Sequence, residues 1–150
     1  WAGALSAPLA ERLPHTCPRL DLSQGSILLP EMAQDLRISL LRGAALAGNE
    51  GSRSLLLEFG GQTVLLCGDA EEAGLAAQLR NRLFPGPCAA LLAPHHGSAS
   101  GHIGALLDIC APALVWISGS GVPGLAAELD RRAIRWRSTA DSGSIAWRPP

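Results

Sequence analysis

The sequence predicts a mixed α/β domain of the α+β kind, a mixed sheet with flanking helices. Three observations lead there. After residue 62, apolar strand-like runs alternate with helical segments, the pattern of layered sheet and helix. Two apolar runs, residues 54–59 and 62–67, are joined by Gly60-Gly61, a hairpin turn whose positive φ angles glycine supplies at no steric cost. Finally, the 150 residues are 47% hydrophobic with a mean hydropathy of +0.20, enough apolar material for one sizeable core and hence one domain over 1–150.

Taken in order, residues 1–20 read as an irregular lead-in. Pro8, Pro14 and Pro18 leave room only for a short helical turn around Ala7 to Leu13. Ile27-Leu28-Leu29 is a short strand ended by Pro30, and Leu36 to Leu41 alternates as a half-buried strand does. Residues 43–51 read as a loop, followed by the hairpin. Ala70 to Leu83 is helical, with Leu75, Leu79 and Leu83 as its apolar stripe. Cys88 to Ala93 is a continuous apolar strand, buried on both faces. A second helix covers Ile103 to Ile109, a buried strand Ala113 to Ser118, and a third helix Pro123 to Ala133 with Pro in its first turn. Short strands at Ile134 to Arg137 and Ser144 to Trp147 flank a turn at Asp141-Ser142-Gly143.

Composition sets the bounds on function. A formal charge of -1 gives no global signal for nucleic acid, and all 12 basic residues are Arg. Cys17, Cys67, Cys88 and Cys110 are widely spaced without a C-x-x-C pair, which argues against a zinc knuckle and leaves any disulfide open. No stretch reaches the roughly 20 apolar residues of a membrane span. The opening Trp1-Ala2-Gly3-Ala4-Leu5 has neither a starting Met nor the basic region of a signal peptide, and reads as the interior of a longer protein.

Chemistry concentrates between Leu65 and Ser98. Asp69 follows Gly68 where a strand gives way to a helix; it suits a carboxylate metal ligand and equally a helix N-cap. His95 and His96 stand side by side after Pro94, at the end of a buried strand. On an extended backbone their rings point to opposite sides, one towards a metal and the other towards a supporting partner. Ser98 can cap the following segment. His102 reads as a surface-loop residue that can also cap or line the same rim, and His15 as a residue among prolines. Asn49, Glu50, Ser52 and Ser54 form a polar approach to the hairpin that either binds substrate or simply makes the turn. Arg131, Arg132, Arg135 and Arg137 can contact phosphate or form a solvated face, and Gly119-Ser120-Gly121 completes no phosphate-loop motif.

These residues line up with a family. Asn49-Glu50 before Ser54-Leu55-Leu56-Leu57, then Leu66-Cys67-Gly68-Asp69-Ala70-Glu71, Pro94-His95-His96-Gly97-Ser98, Leu114-Val115-Trp116-Ile117-Ser118, and Ser138-Thr139 through Gly143-Ser144-Ile145 resemble, over roughly residues 22–148, the second half of a metallo-β-lactamase fold. More narrowly the chain looks like the soluble domain of ComEC-type competence proteins. The resemblance implies a partial αββα sandwich with a dinuclear zinc or manganese site at one sheet edge. Asp69 would be the bridging carboxylate, His95 the last His ligand, and His96 a neighbour or alternative ligand.

The candidate set is then Asp69 and His96 for catalysis, Asn49 and Ser98 for substrate, and Asp69, His95 and His96 for metal. By the same resemblance the substrate is DNA, hydrolysed at its phosphodiesters during uptake, and the domain is an extracytoplasmic, periplasmic part of an inner-membrane protein. Its partners would be the remaining half of the domain and the membrane-embedded parts of the parent. An inactive binding or scaffold module and a hydrolase of small phosphoesters are the alternatives. Two departures stand out. The principal metal motif of the family, His-x-His-x-Asp-His, is absent and would lie before Trp1, which leaves the site incomplete. Ser120-Gly121-Val122-Pro123 also replaces a Tyr-Gly-His-Pro loop of relatives, removing a His.

Overall fold

In a computed structural model of the chain, residues 26–29, 36–41, 46–82, 84, 86–98, 101–120 and 123–146 are described. They form an α/β fold: a seven-stranded mixed sheet in which each strand lies beside its sequence neighbours. Strands β1 (Ser26–Leu29), β2 (Leu36–Leu41), β3 (Ser54–Phe59) and β4 (Gln62–Leu66) form an antiparallel meander. The later strands β5 (Ala90–Leu92), β6 (Leu114–Ile117) and β7 (Arg135–Ser138) continue the sheet in parallel with β4. Their crossovers are α1 (Glu72–Arg80), α2 (Ile103–Cys110) and α3 (Pro123–Arg131), and a single helical turn, α4 (Thr139–Ser142), follows β7.

The order of the strands fixes where the helices sit. All three crossovers step the same way along the sheet, so the right-handed rule puts α1, α2 and α3 on one face. Register and burial agree. Leu56, Leu65, Leu91 and Val115 share a face, and they pack in one cluster with Leu75 of α1, Leu106 and Leu107 of α2, and Leu125 and Leu129 of α3. The opposite face carries Ile38, Leu40, Leu55, Leu57, Leu66, Leu92 and Trp116, all half-buried, around the buried Val64 and Ala90. Among the described residues no helix lies on that face.

The hairpin forms as the sequence predicts, with Gly60 and Gly61 at φ of 54° and 72°. Several elements are shorter than expected, for physical reasons. The first helix starts at Glu72 rather than Ala70 and ends at Arg80, because Arg82 turns left-handed at φ 51°; Leu83 lies outside the described residues. The strand read at 88–93 is regular over Ala90–Leu92, with bonds to its neighbours running on through Ala89 N–H to Thr63 O and Ala93 N–H to Trp116 O, while Cys88 donates its N–H to Cys110 O at 2.7 Å. Left-handed Ala133 ends α3 at Arg131. The strand expected from Ser144 does not form over residues 144–146: the Ser138 hydroxyl caps the α4 turn, and Gly143 follows at φ 67°. Within the loop read at 43–51, residues Gly48–Gly51 form a 3-10 turn. The lead-in 1–20, with Cys17 and His15, lies outside the described residues.

Candidate functional site

Strands β4 and β5 run parallel and stop at the same level, so their carboxyl ends deliver two loops side by side. The loops are tied through the backbone: Cys67 N–H reaches Leu92 O at 3.4 Å, and His95 N–H reaches Gly68 O at 3.1 Å. Gly68 allows this approach. A Cβ there would stand 2.7 Å from Arg53 O, closer than real Cβ atoms come. The β5 loop is a 3-10 turn, Pro94–Gly97, closed by the Ser98 N–H on His95 O at 2.9 Å.

That turn corrects the expected extended backbone. His95 (φ 44°, ψ 52°) and His96 (φ 56°, ψ 22°) are both left-handed, a region that side chains other than glycine enter at a cost. Their rings are therefore not thrown to opposite sides of a strand. They sit 6.2 Å apart, tilted by 51°, and each meets a carboxylate. His96 Nε2 is 3.7 Å from Asp69 Oδ1, in ion-pair range but beyond a hydrogen bond; the two side chains are 63% and 50% exposed. His95 Nδ1 is 3.3 Å from Glu71 Oε1. Further along the rim, His102 Nε2 lies 3.2 Å from Glu72 Oε1.

Asp69 and His96 thus come together, whereas the carboxylate beside His95 is Glu71. Asp69 is not the N-cap of α1; that position is Glu71, which makes no side-chain cap bond. The cap comes from elsewhere. Glu50, in the 3-10 turn before β3, accepts the Ala73 N–H at 3.1 Å and the Gly74 N–H at 2.5 Å. A Cβ on Gly74 would stand 2.4 Å from Glu50 O, so glycine is what lets that turn seat on the helix. Asn49 reaches the rim but turns its amide to Glu71 Oε1 at 3.2 Å. Ser98 joins through its backbone and does not cap α2, whose N-cap is His102.

Sequence reasoning gave Glu71 and Glu72 no role at the site and named no partner for His102. The available signal was an acidic cluster, Asp69-Ala70-Glu71-Glu72, opposite three of the chain's four His. Of the arginines read as a phosphate contact or a solvated face, two pair with neighbouring carboxylates. Arg131 and Arg132 bind Glu128, and Arg132 also binds Asp108. The Gly119 N–H donates to Thr139 Oγ1 at 2.6 Å, tying the glycine loop to α4. An open groove of about 500 Å³ runs along β7 between Arg135, Trp136, Arg137 and Ile145, and no rim residue lines it.

Cys67, next to the rim, and Cys88 and Cys110, which meet before β5, are all buried. Burial pushes the Cys67 thiol up to about 12, against the opposing pull of a hydrogen bond with Ser54.

Oxygen and imidazole donors suit zinc or manganese, but their number falls short. Among the described residues no three His, Cys, Asp or Glu side chains gather as a metal-holding group, and a structural or catalytic zinc takes at least three protein ligands. The described residues alone therefore do not hold the dinuclear centre that the resemblance implies. What they define is an α/β protein with a rim of His–carboxylate pairs at the carboxyl ends of two central strands. No protein-family model matches the chain, and no curated protein matches it. No helix among the described residues is long and apolar enough to cross a membrane.

Proposed function

We propose that the chain is one half of a ComEC-like metallo-β-lactamase-fold domain, whose complete site hydrolyses DNA phosphodiesters with divalent zinc or manganese during DNA uptake on the extracytoplasmic side of the inner membrane. The observation that carries this reading is the pairing of Asp69 with His96, next to the His95–Glu71 pair, where β4 and β5 end. The half-buried apolar face opposite the helices supports it too, since a second sheet packed there would complete an αββα sandwich. In this reading Asp69 and His95 are two metal ligands, and the others come from outside the described residues. A bound metal would supply an activated water and charge stabilisation at the phosphoryl group. The chain's own contributions are proton handling by His96 beside Asp69, and a rim ordered by Asn49 and the closed turn at Ser98.

The shortage of ligands favours a second reading, a binding or scaffold module of the same fold that holds no metal. Metal analysis separates the two, combined with cleavage of single-stranded DNA by the parent polypeptide that the first reading requires. Bound metal and chelator-sensitive cleavage, both reduced in Asp69→Asn and His95→Ala, support the hydrolase. A metal-free domain that leaves DNA intact supports the module. Cleavage of a chromogenic phosphodiester without cleavage of DNA would move the substrate to small phosphoesters. The 150-residue chain alone is expected to bind zinc weakly and to cleave neither.

A further inference from the structure

Glu71 stands where a carboxylate ordinarily serves its own helix. It is the N-cap of α1 (φ -90°, ψ -149°), and its carbonyl accepts the Leu75 N–H at 2.9 Å, yet its side chain makes no cap bond. Glu50 has taken that task on the amides of Ala73 and Gly74. The Glu71 carboxylate is thereby released to face the rim. Its Oε1 accepts the Asn49 side-chain N–H at 3.2 Å on one side and lies 3.3 Å from His95 Nδ1 on the other.

A carboxylate oxygen only accepts, so a neutral imidazole meets it best with its proton on the facing nitrogen. In a neutral imidazole that leaves the lone pair on the other nitrogen, Nε2. We propose that Glu71, steadied by Asn49, is a positioning residue that fixes His95 as its Nδ1–H tautomer and presents Nε2 as the rim's acceptor atom. The need for such a hold follows from the backbone. His95 sits in a left-handed turn, about one-third exposed, where packing alone does not orient a ring. What Nε2 then does in a reaction rests on the hydrolase reading above; the tautomer itself does not.

The test is a long-range ¹H–¹⁵N correlation spectrum of the full chain at pH 8, with the His95 peaks assigned by their loss in His95→Asn. The Nδ1–H pattern is expected in the native chain. It is expected to persist in Glu71→Gln, whose amide oxygen still accepts, and in Glu72→Gln, which touches His102 instead. In Glu71→Ala the population is expected to move towards Nε2–H, and in Asn49→Ala to move part of the way. An Nε2–H pattern in the native chain, or an unchanged pattern in Glu71→Ala, overturns the proposal. Should Glu71→Ala not fold, Asn49→Ala decides: an unchanged pattern there, with the Asn49 hold on Glu71 removed, overturns the proposal. A metal-free, inactive domain that shows the Nδ1–H pattern would remove the hydrolase reading and keep this one.

Discussion

The same two strands build a dry core and a wet rim. Leu65, Ala90 and Leu91 have no measurable exposure, and four or five residues further along each strand Asp69 and His96 are half exposed or more. The energetics differ as sharply. Each fully buried Leu contributes about 1.5–3 kcal/mol. The rim's solvent-exposed pairs are worth about 0–1 kcal/mol each, while each left-handed non-glycine residue costs about 1–2 kcal/mol. A strand interior that stabilises and a strand end that does not, four or five residues apart, is the arrangement of a scaffold delivering a site.

If that contrast is real, the largest loss of stability comes from the dry end. Leu91→Ala removes a side chain buried between Leu65 and Val115 and under the helices, and is expected to lower stability by about 2–5 kcal/mol, read by denaturant unfolding. Ser54→Ala comes next. Ser54 Oγ donates to Gln78 Oε1 at 2.8 Å, and Gln78 Nε2 donates to Ser52 O at 2.9 Å, both inside the β3–α1 contact. Losing that donor leaves a buried amide oxygen short, a cost of about 1–3 kcal/mol. A loss no larger than a surface change gives would mean that water enters there, and the dry end would be narrower than drawn.

This contrast also explains how much the sequence could tell. The hairpin was legible because Gly60-Gly61 is local turn chemistry, and the core strands because their apolar runs are local too. Asp69, His95 and His96 were legible as strand-end punctuation. Their partners were not, because pairing depends on contacts between segments far apart in the chain. Glu50 reaches α1 across 23 residues, and Glu71 meets His95 across the whole first crossover. The left-handed turn was hidden for another reason. Two His residues carry no local preference that marks φ above zero, as Gly or Asn would. The overrun of the first helix has the same root: Asp69 is a good cap by type, and only the three-dimensional arrival of Glu50 displaces it.

At the wet end the sign should reverse. His96→Gly removes about 1–2 kcal/mol of left-handed cost and adds about 0.5–1 kcal/mol of glycine backbone entropy, so a net gain of about 0.5 kcal/mol is expected. The side chain lost is exposed and its partner Asp69 is solvated, so little offsets that gain. Under the hydrolase reading the same variant loses its proton-handling group, giving a chain slightly more stable and less active. A clear loss of stability would show that the His96–Asp69 pair holds the fold, and the rim would then belong with the core.

The smallest effect tests whether charge elsewhere serves the fold. On the helix-clad side, Glu128 of α3 accepts from Arg131 and Arg132, and Arg132 also bridges to Asp108 of α2. Those hydrogen bonds, Arg131 first and Arg132 second, hold the Glu128 carboxyl down at about 2, below its ordinary 4.5. A carboxyl depressed in the fold binds its proton more readily when unfolded. Its contribution to stability is thus complete above about pH 4.5 and is lost as pH falls towards 2. Glu128→Gln should flatten the fall in stability across that window and change little at neutral pH, where exposed pairs are worth little. Denaturant midpoints at pH 2, 3, 4 and 7 measure the difference. An unaltered acid slope would mean that the arginines spend no more time on Glu128 than on water, leaving the α2–α3 contact to Leu106, Leu107, Leu125 and Leu129 alone.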